Sequence, residues 1–550
     1  MMRFVNFGKS MKYNFNHLNT KACLYKSLLS VLHFLLFGVN KFWIELSYFI
    51  SFSVIGYLAL KISSPKDASF SPQDFDIFFM SVSAVTVSSM STVEMEVFSN
   101  AQLILLTIFM FLGGEVFTSL LGLQLMKFKR SHQIQKTENK IDRFSTDADC
   151  STSIPTNAFD QIELGVTSQD QQLGNDQKPD SIPESGVTSF QGQESINRAS
   201  DLLAFSILCY LLVVHLLGSV SISIYNSTIP SANEVLRKKG LNLITFSVFT
   251  TVSTFANCGF VPTNENMMVF KKNSGLLLIM FPQLLLGNTL YPACLRSFIW
   301  FLSKITKRSE FAYLLKNPRA LGYDHLFSDL HSIFLAITVF GFILAQFVLF
   351  SLLEWHSGAT AGLSAYEKLV GSLFQVVNSR HAGESVFDLS LITPAIIVLF
   401  VLMMYLPPYT SFLPIKDGKC FPATEKKTRA KRKNILDYLL FSQLTYLVLF
   451  VILICITERE KLKEDPLNFN LLSIVVEVIS VIISSGYGNV GFSMGYSCGR
   501  QVKSGNNCKD ASYGFAGKWS TQGKFILIIV MFFGRLKKFN TKGGKAWRLS

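Results

Sequence analysis

One pattern recurs four times along the chain. An apolar run long enough to cross a bilayer is followed by an apolar run of about half that length, a turn of small residues, and a second full-length run. The four turns are Val87-Ser88-Ser89-Met90, Asn257-Cys258-Gly259-Phe260, His381-Ala382-Gly383-Glu384 and Asn489-Val490-Gly491-Phe492. A helix of half-bilayer length cannot cross, so it must enter and return. Irregular backbone at that depth is tolerated only where it lines a water-filled path or is buried in protein. Internal repeats of this kind constrain the fold more than local propensity does. They predict an all-α integral membrane protein of eight transmembrane helices and four re-entrant pore loops. Its four M1-P-M2 repeats (outer helix, pore half-helix, inner helix) would stand in a pseudo-fourfold ring about one axis.

Composition agrees. With 49% hydrophobic residues, 16% charged residues and 50 Phe, the chain is not an ordinary soluble globule. A net charge of +14 raises the question of nucleic acid. However, Lys and Arg cluster beside the ends of the apolar runs, as the positive-inside rule requires, and no basic-aromatic groove pattern accompanies them. The partner is therefore the lipid bilayer, with no nucleic acid. An enzyme or receptor reading lacks a nucleophile–base pairing, a Gly-rich phosphate loop or a globular domain, and no cofactor is expected. The nine cysteines show no CxxC and no Cys/His pair at zinc spacing. Cys209, Cys294 and Cys455 read as small buried hydrophobes. Cys498 and Cys508 both follow the fourth turn, where an extracellular placement would permit a disulfide.

In order, residues 1–40 form a basic cytoplasmic N-terminus whose Leu24–Phe37 run hugs the membrane, with no small-residue cleavage site after it. Repeat A (41–130) holds spans Lys41–Ile62 and Ala101–Met126 around the half-helix Phe75–Val87. Residues 131–198, rich in Gln, Ser, Asp and Glu, read as a disordered cytoplasmic loop. Repeat B (199–308) holds Leu202–Tyr225, Leu241–Ala256 and Ser274–Ile305, with the glycosylation sequon Asn226-Ser227-Thr228 at the outer end of its first span. A cytoplasmic linker (309–330) leads to repeat C (331–414), made of His331–Glu354, Tyr366–Val377 and Leu389–Leu413. The basic loop 415–434, from Lys416 to Lys433, is either topogenic or a site for anionic headgroups. Repeat D (435–550) holds Leu436–Thr457, Leu471–Ser484 and Gly523–Phe539, then a basic tail. Both termini fall on the cytoplasmic side of this multi-pass chain.

To dehydrate an alkali cation, a pore must replace water oxygens with others, and backbone carbonyls do this without fixed charge. Half-helices aimed inward add the negative ends of their dipoles. The turn backbone resists a Cβ, which Gly259, Gly383 and Gly491 lack. Ser89 stands where the others have glycine, so we expect a narrower site that favours Na+ held at these filter residues. His381 beside Ala382 and Gly383 reads as a structural or vestibule residue, since a metal or proton-relay role lacks a second His or Cys nearby. Glu94, Glu96, Glu265, Glu384, Asp388 and Asp510 follow the turns, either as solvated loop charges or as a vestibule that concentrates cations. Gly113-Gly114-Glu115, Gly287-Asn288, Pro407-Pro408 and Gly534-Arg535 interrupt the four inner helices. Arg535 would face Glu115 as a barrier if the first and last units are neighbours, or else would snorkel to the inner face.

Val87-Ser88-Ser89-Met90 with Glu94-Met95-Glu96, Gly113-Gly114-Glu115-Val116-Phe117, Phe255-Ala256-Asn257-Cys258-Gly259-Phe260, Asp465-Pro466-Leu467-Asn468-Phe469-Asn470 and Tyr487-Gly488-Asn489-Val490-Gly491-Phe492 resemble the plant high-affinity K+ transporters (HKT) of the Trk/Ktr/HKT superfamily. Ser at position 89 resembles class I. That class implies a Na+-selective, channel-like plasma-membrane uniporter that withdraws Na+ from xylem sap and supports salt tolerance; Gly there would imply Na+/K+ symport. The resemblance also implies a homodimer and a barrier role for Arg535.

Overall fold

The computed structural model describes residues 41–66, 72–146, 185–318, 321–406, 409–410, 443–484, 490–501 and 508–537. The membrane-hugging helix of 24–37, Pro407-Pro408, the basic loop 415–434, Asn489 and the basic tail lie outside them. The described residues are helical, with no strand and one isolated antiparallel bridge between Tyr496 and Ala511.

Unit A contains α1 (Lys41–Ile62), the half-helix α2 (Asp74–Thr86), and an inner helix split into α3 (Asn100–Gly113) and α4 (Glu115–Thr146). Unit B contains α5 (Ser185–Thr228), the half-helix α6 (Leu243–Ala256), and the split pair α7 (Ser274–Leu286) and α8 (Tyr291–Thr306). Unit C contains α9 (Asp329–Glu354), α10 (Ala365–Asn378) and α11 (Pro394–Tyr405); unit D contains α12 (Gln443–Thr457), α13 (Leu471–Ser484) and α14 (Thr521–Lys537). By length and composition α1, α5 and α9 each suffice to cross a membrane, and the two split pairs do so if each counts as one span.

Local chemistry sets where these helices begin. Ser99 with Gln102 and Ser364 with Glu367 form reciprocal capping boxes on α3 and α10. Asn242 caps α6 by accepting from the Ile244 and Thr245 amides at 3.0 and 3.2 Å. Two inner helices are capped from their own unit's outer helix. Buried Glu354 of α9 accepts from the Thr393 amide and hydroxyl at 2.8 and 2.7 Å, and Glu458, just past α12, accepts from the Ser520 amide at 2.9 Å.

The ring closes through one repeated contact. Each half-helix packs on the inner helix of the preceding unit: α6 on α3, α10 on α7, α13 on α11, and α2 on α14. The first and last units are therefore neighbours. Between units C and D, Phe387, Phe350, Phe400 and Phe492 form a run of ring contacts with centroids 5.5–6.2 Å apart. Each such pair contributes about 0.5–1.5 kcal/mol beyond its buried area.

Three sequence expectations change. Helix α4 continues to Thr146 and α5 starts at Ser185, so the 131–198 segment is helical at both ends rather than disordered throughout. Residues 131–146 contain neither Gly nor Pro, and nothing stops the helix where the apolar run ends. Unit C's inner helix starts at Pro394 rather than Leu389, because Pro fits the first turn of a helix and Leu389–Leu391 forms a separate 3-10 turn. Helix α14 runs unbroken through Gly534-Arg535, whereas the other two described interruptions are real, with bends of 52° at Gly114 and 85° between α7 and α8.

Candidate ion pathway

Each of the first two half-helices ends on a residue in the left-handed region, Val87 at φ 58° and Asn257 at φ 56°. Two residues later the chain is left-handed again, at Ser89 (φ 62°) and Gly259 (φ 72°), and Gly383 in unit C has φ 78°. The turns meet at one point. The Ala382 carbonyl accepts from the Ser89 hydroxyl at 3.2 Å and from the Gly491 amide at 3.3 Å, and a Cβ on Gly259 would run into it. A Cβ on Gly383 would strike the Gly491 amide, and one on Gly491 would fall on the Ser89 side chain. The four equivalent positions read from the sequence are thus brought into contact. Gly491 differs in its reason: its φ lies outside the left-handed region, so it needs space rather than torsional freedom.

Side chains on the half-helices take up the amides that follow these residues. Ser83 accepts from the Met90 amide at 2.9 Å and Asn378 from the Glu384 amide at 3.0 Å. Gln375 accepts from Val386 and Phe387 at 2.9 and 3.2 Å. Glu477, buried on α13, accepts from the Ser493 hydroxyl at 3.0 Å and the Ala516 amide at 3.2 Å. The amides after Ser89 and Gly383 are thus held by their own half-helices, while the Ala382 carbonyl takes the Ser89 hydroxyl and the Gly491 amide. Sequence reasoning missed Gln375 and Glu477. The signal for Glu477 was present, since it is an acid inside the apolar run Leu471–Ser484 and has no cheap place there unless it is bonded.

The remaining predicted residues divide. Ser88 shares a hydrogen bond with Thr86 at 2.8 Å, and Cys258 and Val490 are buried. His381 is fully engaged: its Nδ1 lies 2.6 Å from the Val377 carbonyl and its Nε2 2.8 Å from the Thr289 hydroxyl. The carbonyl requires Nδ1 to carry the proton, so in the neutral ring Thr289 donates to Nε2. His381 therefore ties the third turn to the break in unit B's inner helix.

Ser89, Gly259 and Gly491 line a cavity of about 220 Å³ whose walls include Asp388, Asp510, Arg500 and Tyr513. Burial, helped by the Glu94 and Asp76 charges, pushes the Tyr513 hydroxyl up to about 12, so the wall stays a neutral phenol facing negative charge. Of the predicted vestibule acids, Asp388 and Asp510 line this cavity. Asp510 also accepts from the Cys498 amide at 2.6 Å. Glu96 and Glu265 are both paired to Lys239, at 2.7 and 2.6 Å, and Glu94 accepts from Asn264 at 3.4 Å. Glu384 is a correction: it is buried behind the third turn with Thr254 donating to it at 2.7 Å, so it is not a vestibule charge.

Two outer-face expectations resolve in opposite ways. Cys498 and Cys508 are disulfide-bonded, with Cα atoms 5.8 Å apart. Asn226 lies inside α5 and is fully buried, so the sequon cannot present its amide for glycosylation.

Arg535 does not snorkel. It is 1% exposed, donates to the Gly113 carbonyl and to the Thr118 hydroxyl, and lies over the Phe49 ring. These partners bracket Glu115, which itself faces His325 at 3.6 Å. Higher on the same seam, Lys524 pairs with Asp76 at 2.6 Å, a pair that sequence reasoning did not reach. The breaks below the turns follow one rule: a Cβ on Gly113 would strike the Val85 carbonyl, and one on Gly287 the Phe255 carbonyl, four residues before Ser89 and Gly259 respectively.

Comparison with known proteins agrees with this ring. Residues 184–541 match the TrkH family model, described as a cation transport protein. The chain is 48% identical over 510 residues to the cation transporter HKT1;3 of Oryza sativa subsp. japonica, covering 93% of this chain and 92% of that one. It is 49% identical over 499 residues to the sodium transporter HKT1 of Arabidopsis thaliana, covering 89% and 92%. The potassium transporter TrkH from Vibrio parahaemolyticus, at 13% identity, shares the fold with a TM-score of 0.50 over 91% of this chain and 83% of that one. The protein is an ion transporter and not an enzyme: it belongs to the TrkH family of cation transport proteins and, within it, to the plant HKT transporters.

Proposed function

We propose that the chain conducts Na+ selectively, as a channel-like uniporter driven by the electrochemical gradient. The observation that carries this reading is Ser89. It holds a left-handed backbone, places its hydroxyl on the Ala382 carbonyl, and fills the space beside Gly491. A side chain in one quarter of a narrow oxygen ring reduces its width and breaks its symmetry, which favours the smaller ion. The identity to the sodium transporter HKT1 supports the same choice. The rival is K+-permeable transport, including Na+/K+ symport, and it draws on Gly259 and Gly383 keeping the left-handed turns in two units.

The proposal extends to a multi-pass homodimer in the plasma membrane with both termini cytoplasmic, which retrieves Na+ from xylem sap and supports salt tolerance. It requires no cofactor beyond the transported Na+ and no nucleic acid. Two-electrode voltage clamp in oocytes, with Na+ and K+ exchanged outside, tests it. The reversal potential should follow Na+, and a reversal that tracks external K+ would defeat the Na+ reading.

A further inference from the structure

The four half-helices do not support their turns in the same way. In units A and C a side chain of the unit's own half-helix accepts the amide just after the filter position, Ser83 for Met90 and Asn378 for Glu384. In unit D, Glu477 holds the segment after Gly491 through the Ser493 hydroxyl. Helix α6 of unit B instead carries Thr254, whose hydroxyl donates across to the Glu384 carboxylate of unit C at 2.7 Å. Both residues are fully buried.

Glu384 follows Gly383 and stands two residues from Ala382, whose carbonyl is where all four units meet. Its amide is tied to its own half-helix and its carboxylate to the neighbouring one, so its position is set from two units at once. The second carboxylate oxygen is buried and has no hydrogen-bond partner among the described residues. The Thr254 hydroxyl is therefore the hydrogen bond by which this side chain is anchored.

We propose that Thr254 and Glu384 are positioning residues of the filter, whose hydrogen bond across the seam between units B and C fixes where the Ala382 carbonyl stands and thereby which alkali cation passes. This rests on reading the four turns as the selectivity filter. The bond requires a hydroxyl donor at 254 and an oxygen acceptor at 384, and no charge. Thr254→Ser and Glu384→Gln keep it; Thr254→Val and Glu384→Ala delete it with little and with large change of volume.

The test is the ratio of K+ to Na+ permeability in oocytes, from reversal potentials, with surface protein measured in parallel. The deleting variants should shift the ratio by about fivefold relative to the unmodified chain, equivalent to about 1 kcal/mol, a typical net hydrogen bond. Thr254→Ser and Glu384→Gln should restore it to within about twofold, and Thr254→Val combined with Glu384→Ala should shift it no further than either alone. Conducting Thr254→Val channels with an unshifted ratio would overturn the proposal, as would a shift in Glu384→Gln as large as in Glu384→Ala, because charge would then be the active property. Loss of surface protein in both deleting variants would also overturn it, since the pair would then hold the fold rather than tune the filter. The ion preferred by the unmodified chain is read separately, from its own reversal potential, so a K+-permeable wild type leaves this comparison intact.

Discussion

Gly491 and Ser89 share one space: a Cβ on Gly491 would fall on the Ser89 side chain. Because the Gly491 backbone is not left-handed, alanine is excluded there by contact alone. Gly491→Ala is therefore predicted to abolish current while the protein still reaches the surface, and Ser89→Gly in the same chain to restore it in part, because the two side-chain clashes go and the Ser89 Cα at 2.9 Å remains. Currents normalised to surface biotinylation check this. A conducting Gly491→Ala single variant would show that the turns do not approach as closely as described.

Ser89→Gly alone should raise K+ permeability relative to Na+ and leave thermal stability nearly unchanged. A non-glycine residue in the left-handed region costs about 1 kcal/mol, which glycine relieves. Added backbone freedom in the unfolded chain takes back about 0.4–1 kcal/mol. Voltage clamp reads the first effect and thermal unfolding in detergent the second. Equal relative permeability before and after the change would remove Ser89 from the selectivity account.

Much of this architecture was legible because membrane burial writes itself as period and length. The run Lys41–Ile62 and the half-helix Leu471–Ser484 match the observed helices residue for residue. The turns were legible too, since Gly259 and Gly383 combine a left-handed backbone, at φ 72° and 78°, with no room for a Cβ. What stayed hidden was pairing between units. Lys524 and Asp76 lie 448 positions apart and Thr254 and Glu384 130, and nothing local in either residue names its partner. Glu384 read as a solvated acid because its neighbours in sequence form a turn; only the packing of α6 against it shows that it is buried. Asn226 failed for the converse reason, because a sequon says nothing of the helix that encloses it.

Lys524 and Asp76 join the start of α14 to the first turn of α2, with side chains 10% and 14% exposed. A charge-assisted bond so little exposed should couple by about 1.5–3 kcal/mol. The cycle Lys524→Ala, Asp76→Ala and the double variant, followed by thermal unfolding in detergent, is expected to show the double variant less destabilised than the sum of the singles. Strict additivity would mean the two charges contribute independently.

Asn226→Gln should leave electrophoretic mobility unchanged in plant or oocyte membranes, and glycosidase treatment should not alter the mobility contribution of this site, since the amide is fully buried in α5. A mobility shift on substitution would require α5 to unwind at its outer end. In the same preparation, Cys498 and Cys508 should react with a membrane-impermeant maleimide only after reduction, because they are bonded to each other. Labelling without reductant would count against the bridge.

Arg535 is predicted to act through the break in unit A's inner helix rather than as a free charge. Its guanidinium takes the Gly113 carbonyl, the last carbonyl of α3, and reaches Thr118 one turn into α4 at 3.4 Å. The two halves of the bent helix are thus held by one planar group from the opposite end of the chain. Arg535→Ala leaves that buried carbonyl unpaired, at a cost of about 1–3 kcal/mol, and frees the bend. Current is expected to rise or become deregulated while thermal stability falls. Arg535→Lys separates the two accounts, because an ammonium keeps the charge but lacks the planar group that lies over the Phe49 ring and holds Nη2, the one nitrogen that reaches both acceptors. If Arg535 works by tying the break, Lys should leave the current raised and stability below that of the unmodified chain. Full return of wild-type current with Lys would instead make Arg535 a purely electrostatic barrier.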